Sequence, residues 1–321
     1  MVYNNNPFIS ETYVNKWMSS FFDRKEPKEF SFLEGIKFTK NKFLPLFYNV
    51  GTYKSCGMSY AFNNTLKAKG LKNKVIIIYD VPEYFNLDLG NIPANVSLNQ
   101  VAQYEGFVTE LDQFKDIEDF MSKKFPSKKR RKILHPMKQL EDSYNITYEW
   151  HFGHIERNTF LKLIDRLYEL IDIKFEGKSR ENSHTKKGIR EWYEDLIYDM
   201  INEGKASFIV TKNEDTPIAI TLNYHSDNIL FSAVPGTDLG YAKYGLGSIM
   251  NVKAIEWALN NGYSYFDLSK GSYGYKHKWA TRSYNFEYHV LYNKNSPIGF
   301  ILGNSTVLYY KLKQYVRKKI R

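Results

Sequence analysis

Cysteine is all but missing from this chain of 321 residues: Cys56 stands alone. A single thiol closes no internal disulfide and builds no thiolate zinc cluster, which fits a reducing compartment. Its neighbours Ser55, Gly57 and Met58 supply no base, so Cys56 reads as a small loop or core residue rather than a nucleophile. Long apolar runs are missing too. Nothing reaches the roughly 20 residues a bilayer span needs, and the uncharged stretch Asn295–Tyr310 is interrupted by Pro297, Gly299 and Gly303. Met1–Pro7 is polar and asparagine-rich, unlike a secretory leader, so a cytoplasmic setting is expected. There is no Ser-His-Asp order, kinase signature or Walker phosphate loop. His151 and His154 have metal-like spacing, but they fall on a strand and turn with no third ligand, and no metal is expected.

What the chain does have is aromatic bulk: 22 Phe and 26 Tyr within 43% apolar residues, enough for a substantial core. Its net charge is +10, and the basicity is concentrated. Ser122–Lys138 holds eight basic residues and no acid, and Lys311–Arg321 holds six and no acid. Removing those fourteen charges from +10 leaves −4 on the rest, so a uniformly basic nucleic-acid coat is excluded. The two runs are either solvated helix faces or places that meet phosphates, on a nucleotide, a tRNA, an acidic carrier or a lipid surface.

Patterning along the chain mixes helices and strands. Phe43–Val50 and Val75–Asp80 read as strands, the second buried on both faces and stopped by Pro82. Asn86–Asn99 reads as loop. Gln113–Lys123 has helical spacing, and a second helix starts after Pro126 with Ser127 as cap and Pro136 as a bend. Ile146–Trp150 alternates as a strand, Phe160–Ile173 is amphipathic, and Lys174–Lys187 reads as a mobile loop. Ile189–Ile201 is a strong helix closed by Gly204. Ser207–Thr211, Ile218–Tyr224 and Ile229–Val234 form an antiparallel meander. The turn Lys243-Tyr244-Gly245-Leu246-Gly247-Ser248 opens a helix ending at Gly262, and strands follow at Tyr263–Leu268 and Phe286–Tyr292. Strand, helix, strand in that order predicts a parallel crossover.

The glycine turn bares backbone N–H groups at a helix start, where a pyrophosphate is favoured, and Lys243 adds a full charge. As plain structure the same glycines permit tight strand–helix packing. The order of meander, glycine turn, helix and two strands resembles the GNAT acyltransferase superfamily. Gly262, Asp267, Gly271, Tyr275-Lys276 and Trp279, in that spacing, resemble its CelD-like branch, and Ser127-Lys-Lys-Arg-Arg-Lys resembles the basic helix that opens that domain. The likeness covers about Phe125–Tyr292. The Tyr-Lys pair after a strand-end Asp also resembles the Fem-type aminoacyl transferases, which are built from two GNAT-like domains. One departure stands out: where the GNAT signature places Gln or Arg three residues before its first glycine, this chain has Ala242.

The resemblance implies an α/β fold (an α+β mixed sheet) of two GNAT-like halves, with the C-terminal half the better match. The expected division is 1–124 for the first half, 125–300 for the acyltransferase domain and 301–321 for a basic C-terminal helix. It implies acyl-CoA as co-substrate, held by Lys243, Tyr244, Gly245, Gly247 and Ser248, with no resident cofactor. Asp267 then orients Lys276 or accepts a proton from the attacking amine, unless it merely caps its turn. Lys276 supports an oxyanion, and Tyr275 protonates the leaving thiolate or packs below the site. Gly271, Trp279, Arg282 and His225 are candidates for acceptor contact, with Trp279 a wall or core residue and His225 or His277 a possible base. The implied reaction is N-acylation of an amine, an amino sugar on a nucleotide or lipid-linked glycan in surface polysaccharide assembly. Two other readings stay open: aminoacyl-tRNA-dependent transfer to a peptidoglycan precursor, and a non-catalytic binding module. In the tail, Leu308, Leu312, Tyr315, Val316 and Ile320 make one stripe on a basic helix, either docked on the domain or lying on anionic lipid as a peripheral contact.

Overall fold

The computed structural model describes residues 5–63, 68, 70–87, 92–175, 188–271 and 274–320. In chain order its main elements are α1 (Glu11–Phe21), β1 (Leu33–Glu34), β2 (Phe38–Lys40), β3 (Leu46–Asn49), β4 (Ala61–Phe62), β5 (Val75–Pro82), β6 (Val96–Glu110), α2 (Ile117–Lys124), α3 (Ser127–Ser143), β7 (Ile146–Phe152), α4 (Arg157–Phe175), α5 (Ile189–Asn202), β8 (Ala206–Asn213), β9 (Thr216–Ser226), β10 (Ile229–Thr237), α6 (Leu246–Asn260), β11 (Tyr265–Lys270), α7 (Gly274–Trp279), β12 (Arg282–Asn293) and α8 (Pro297–Ile320). The fold is mixed α/β. Its contacts divide into two compact units, one of Met1–Phe107, Lys270–Gly274 and Ser283–Arg321, the other of Val108–Ser269 and Tyr275–Arg282.

In the first unit the strand order is β2-β3-β5-β12-β6. β5 is parallel to β3 and antiparallel to β12. The run Val75–Ile78 is fully buried, as its lack of alternation predicts. α8 lies on one face through Val307 and Tyr310, against a core that includes Val75, Ile77, Val101 and Tyr288. Tyr310 stacks on Tyr288 at 4.0 Å and shares a 2.6 Å hydroxyl contact with Tyr79. Gly303 lets α8 approach this closely, because a Cβ there would meet the Tyr292 ring at 2.2 Å. Near the end of β5, Asp80 is buried with φ +60° and accepts bonds from Ser55 Oγ at 3.0 Å and Lys270 Nζ at 2.5 Å.

In the second unit the order is β11-β10-β9-β8-β7. β7 to β10 form the expected antiparallel meander, and β10 and β11 are parallel, from Ile229–Tyr265 to Phe231–Asp267. Directly beyond Phe231 a bulge falls between Ser232 and Val234, where β10 bends. β9 is buried along nearly its whole length, because helices cover both faces. Alternation on β8 shows how: Phe208 stacks on Phe160 of α4, while Thr211, on the opposite face, hydrogen-bonds the Met250 sulfur of α6. α5 closes as predicted, with Gly204 in the left-handed region and Lys205 N–H bonded to Met200 O at 2.8 Å.

Several expectations change. β6 is a strand of 15 residues whose first part takes Val96–Asn99 out of the expected loop. Its polar, irregular pattern hides it from period-2 reading. Ser127 does not cap α3; Pro126 holds that position, and its carbonyl accepts from Lys129 and Arg130. α3 runs through Pro136 as one helix. The segment after β11 contains a short helix, α7, that carries no apolar stripe to announce it. The expected loop Lys174–Lys187 lies, from residue 176 on, outside the described residues.

His225 on β9 is a core residue. It is 3% exposed, its Nδ1 meets Tyr263 Oη and its Nε2 meets Ser207 Oγ, both at 2.8 Å, and Phe152 and Trp257 flank the ring. Burial pushes its pKa down to about 3. The folded imidazole therefore stays neutral while the unfolded one takes a proton below about pH 6.5. Stability is expected to fall as pH drops from 6.5, by about 1.4 kcal/mol per unit from this group. Urea unfolding at pH 7.5 and pH 5.0 checks it: wild type should lose about 2 kcal/mol more on acidification than His225→Gln, and equal losses refute the assignment. Gly303→Ala should destabilise by about 1–3 kcal/mol through overpacking against Tyr292, although Ala normally gains about 1 kcal/mol over Gly inside a helix. A stabilised variant would show that α8 does not dock as described.

Candidate functional site

Two features of the second unit belong to the candidate site. The first is the start of α6. A 3-10 turn, Leu239–Tyr244, is capped by Asp238, whose Oδ1 accepts from Gly240 N–H at 2.8 Å. Gly245 follows at φ +67° and redirects the chain into α6. The N–H groups of Ser248 and Ile249 return to Gly245 O at 2.8 and 3.3 Å. Those of Leu246 and Gly247 precede any intrahelical acceptor, as in every first turn. An added Cβ at Gly245 or at Gly247 would meet nothing within 4 Å, so the backbone here is open to an approaching anion.

The turn is framed by tyrosines. Tyr244 is buried and lies edge-on to Tyr144 at 5.9 Å, and Tyr144 also meets Tyr241 at 5.3 Å. Lys243 Nζ sits 4.8 Å from the Tyr244 ring centroid. Hydrogen bonding to Tyr244 raises the Lys243 pKa and, from the other side, lowers that of the Tyr244 hydroxyl. Lys243 therefore stays a cation at the mouth of the turn. Tyr144 and Tyr241 escaped sequence reading because nothing local ties the end of α3 to the turn before α6.

The second feature is the corner after β11. Asp267 is fully buried, and its Oδ1 accepts from Ser269 N–H at 2.6 Å. Lys276, on α7 and 4% exposed, donates from Nζ to Ser269 O at 3.2 Å. Ser269 itself holds φ +61°, a conformation costly for a residue with a side chain. Asp267 and Lys276 thus hold one strained residue, the first at its N–H and the second at its carbonyl. Sequence reading named the two grips and missed Ser269, although Asp-x-Ser is the spacing of a side-chain-capped turn.

Tyr275 begins α7 and is 48% exposed. Gly271 has φ +101° in the first unit, where its N–H bonds Glu105 O at 2.9 Å. Arg282 pairs with Glu110 at 3.3 Å, both partly exposed. Trp279 is 1% exposed, stacked on Phe120 and edge-on to Phe125, and its carbonyl accepts from Thr109 Oγ1 at 3.0 Å. It and His225 are packing residues in this conformation. Cys56 is buried. His151 pairs with Glu149 and His154 with Glu156. Among the described residues no group of His, Cys, Asp or Glu is arranged to hold a metal ion.

Comparison with known proteins follows the same outline. Residues 127–277 match the family model of the acetyltransferase (GNAT) domain. No curated protein matches the chain. Among solved structures it is similar to FemX, with 13% identity and a TM-score of 0.56 over 79% of this chain and 83% of that one. It is similar to L-PGS from Bacillus licheniformis, with 15% identity and a TM-score of 0.52 over 96% and 95%. A conserved protein of unknown function from Bacteroides thetaiotaomicron gives 12% identity and a TM-score of 0.53 over 90% and 92%. At such identities the shared property is the fold. The chain therefore has a GNAT-like fold, and its residues 127–277 match the acetyltransferase domain of that family.

Proposed function

We propose that the protein is an N-acyltransferase that moves an acyl group from acyl-CoA to an amine. The observation that carries this reading is the pairing, inside residues 127–277, of an open glycine-led helix start with a rigid acid–lysine corner. The donor's phosphates lie against the N–H groups of Leu246 and Gly247 and the Ser248 hydroxyl, with Lys243 as counter-charge in place of the signature side chain that Ala242 lacks. The amine attacks the thioester carbonyl; the C–N bond forms, the C–S bond breaks, and the amine's proton is lost as the thiolate gains one. Asp267 and Lys276 act as positioning residues, and Lys276 brings the positive charge that a developing oxyanion requires. Tyr275, the exposed member of the three, delivers the proton to sulfur. Arg282 faces an acidic group of the acceptor.

The CelD-like spacing from Gly262 to Trp279 favours an amino sugar of a surface polysaccharide precursor as acceptor. α8 favours a peripheral membrane setting. No helix among the described residues is long and apolar enough to cross a membrane. Yet α8 exposes Ile298, Ile301, Leu308, Leu312 and Tyr315, each more than half exposed, and ends in Arg317, Lys318 and Lys319. An apolar stripe with a basic end is the pattern of a helix lying on anionic lipid.

Calorimetry with acetyl-CoA tests the donor; no binding to this or any longer acyl-CoA defeats the reading. Lys276→Ala should cut kcat roughly 100-fold or more with acetyl-CoA affinity nearly unchanged; a full rate would remove Lys276 from the chemistry. Salt-sensitive tRNA binding with aminoacyl transfer would replace this reading by the Fem-type one. Sedimentation with phosphatidylcholine–phosphatidylglycerol vesicles should fall in Ile301→Gln/Leu312→Gln at unchanged melting temperature, and equal sedimentation would exclude α8 as the contact.

A further inference from the structure

α2 ends, and α3 begins, beside the second half of α7. Between them is a pocket of about 550 Å³ lined by Lys124, Phe125, Lys129, Lys132, His277 and Lys278. The volume is that of a small-molecule site. Four lysines line it and no carboxylate does. Lys124 is turned inward by a hydrogen bond to Ala280 O, and Lys278 lies over the rings of Phe125 and Trp279, at 5.8 and 5.2 Å. The Lys278 ammonium thus sits over an aromatic floor, and Lys124, Lys129 and Lys132 line the same concavity. Burial lowers the pKa of Lys124, and burial together with Lys129 lowers that of Lys278. Lys129 and Lys278 repel one another, and an anion with more than one charge relieves them.

We infer that this pocket binds a phosphate-bearing group of at least two negative charges, a diphosphate or phosphate monoester, through Lys129, Lys132, Lys278 and Lys124. It is a different site from the glycine turn. The pocket lies against the first turns of α3, whereas the turn's Tyr244 touches Tyr144 just past the other end, so on the order of 20 Å of helix separates them. α7 links the pocket to the corner instead: His277 and Lys278 directly follow Lys276. On the acyl-transfer reading, the anion is therefore the acceptor's, and the acceptor is a phosphorylated or diphosphate-linked amine; the anion site itself does not depend on that reading.

Calorimetry at low ionic strength with inorganic diphosphate, uridine diphosphate and farnesyl diphosphate tests the site. Wild type should bind diphosphate, more weakly as salt rises. Lys129→Gln/Lys278→Gln should weaken it about tenfold or more, and Lys129→Gln/Lys132→Gln, confined to the exposed side of α3, should act in the same direction even if the first variant folds poorly. Acetyl-CoA affinity should be unchanged in both. Tighter binding of the uridine compound supports a nucleotide-linked ligand, and tighter binding of the farnesyl compound a lipid-linked one. Diphosphate bound equally well by wild type and both variants overturns the proposal. So does a short RNA that binds through the same lysines far more tightly than any of the three probes. If acetyl-CoA fails to bind while lysine-dependent diphosphate binding persists, the donor reading falls and the pocket stands.

Discussion

The candidate site depends on the backbone of one residue. Ser269 occupies the left-handed region at the end of a parallel strand, where a side chain makes the backbone unfavourable by about 1 kcal/mol or more. Two side chains offset that cost. Asp267, with no exposure to water, takes the N–H, and the ammonium of Lys276 meets the carbonyl. Charge-assisted bonds in a buried setting are stronger than neutral ones, and losing either side chain leaves one backbone group of Ser269 without this contact. The direction in which the chain leaves β11, and so where α7 places Tyr275, follows from this grip. A corner held in this way is rigid before any ligand arrives, which is what positioning of reacting groups demands.

The glycine turn works by the opposite device, openness. Gly245 supplies a positive φ at no steric cost, and Gly247 removes the side chain that would cover the first turn of α6. Lys243, two residues before Gly245, is a cation whose ammonium lies over the Tyr244 ring. This arrangement compensates in charge for Ala242, though without a bidentate side chain.

Much of the second unit was legible in the chain. Strong periods gave α5, α6 and the meander, and Asn-Gly and Gly punctuation gave their ends, because local propensity and burial agree there. Asp267 and Lys276 were legible as chemistry through their spacing. What stayed hidden was tertiary. β6 mixes polar and apolar residues without alternation, so its pairing with neighbours, not its own pattern, makes it a strand. α7 has no apolar face in sequence, yet it buries Lys276 and Trp279. His225 read equally well as an acceptor contact or a base until its two nitrogens were seen bound to Tyr263 and Ser207.

The two basic runs illustrate why composition alone could not assign them. Both read as amphipathic helices with lysine and arginine at similar density. On α3 the lysines of the first turns share a concave surface with Lys278 of α7, where Lys129 and Lys278 repel one another. On α8 the charges spread along a convex helix end, next to large apolar side chains that water contacts directly. Concave convergence selects a compact, multiply charged ligand, since only such a group can reach several ammonium ions at once. A convex stripe of Ile, Leu and Tyr beside Lys and Arg selects an extended surface that is anionic on top and apolar beneath. Equal charge therefore supports unequal roles, and curvature, which the sequence does not display, is what separates them.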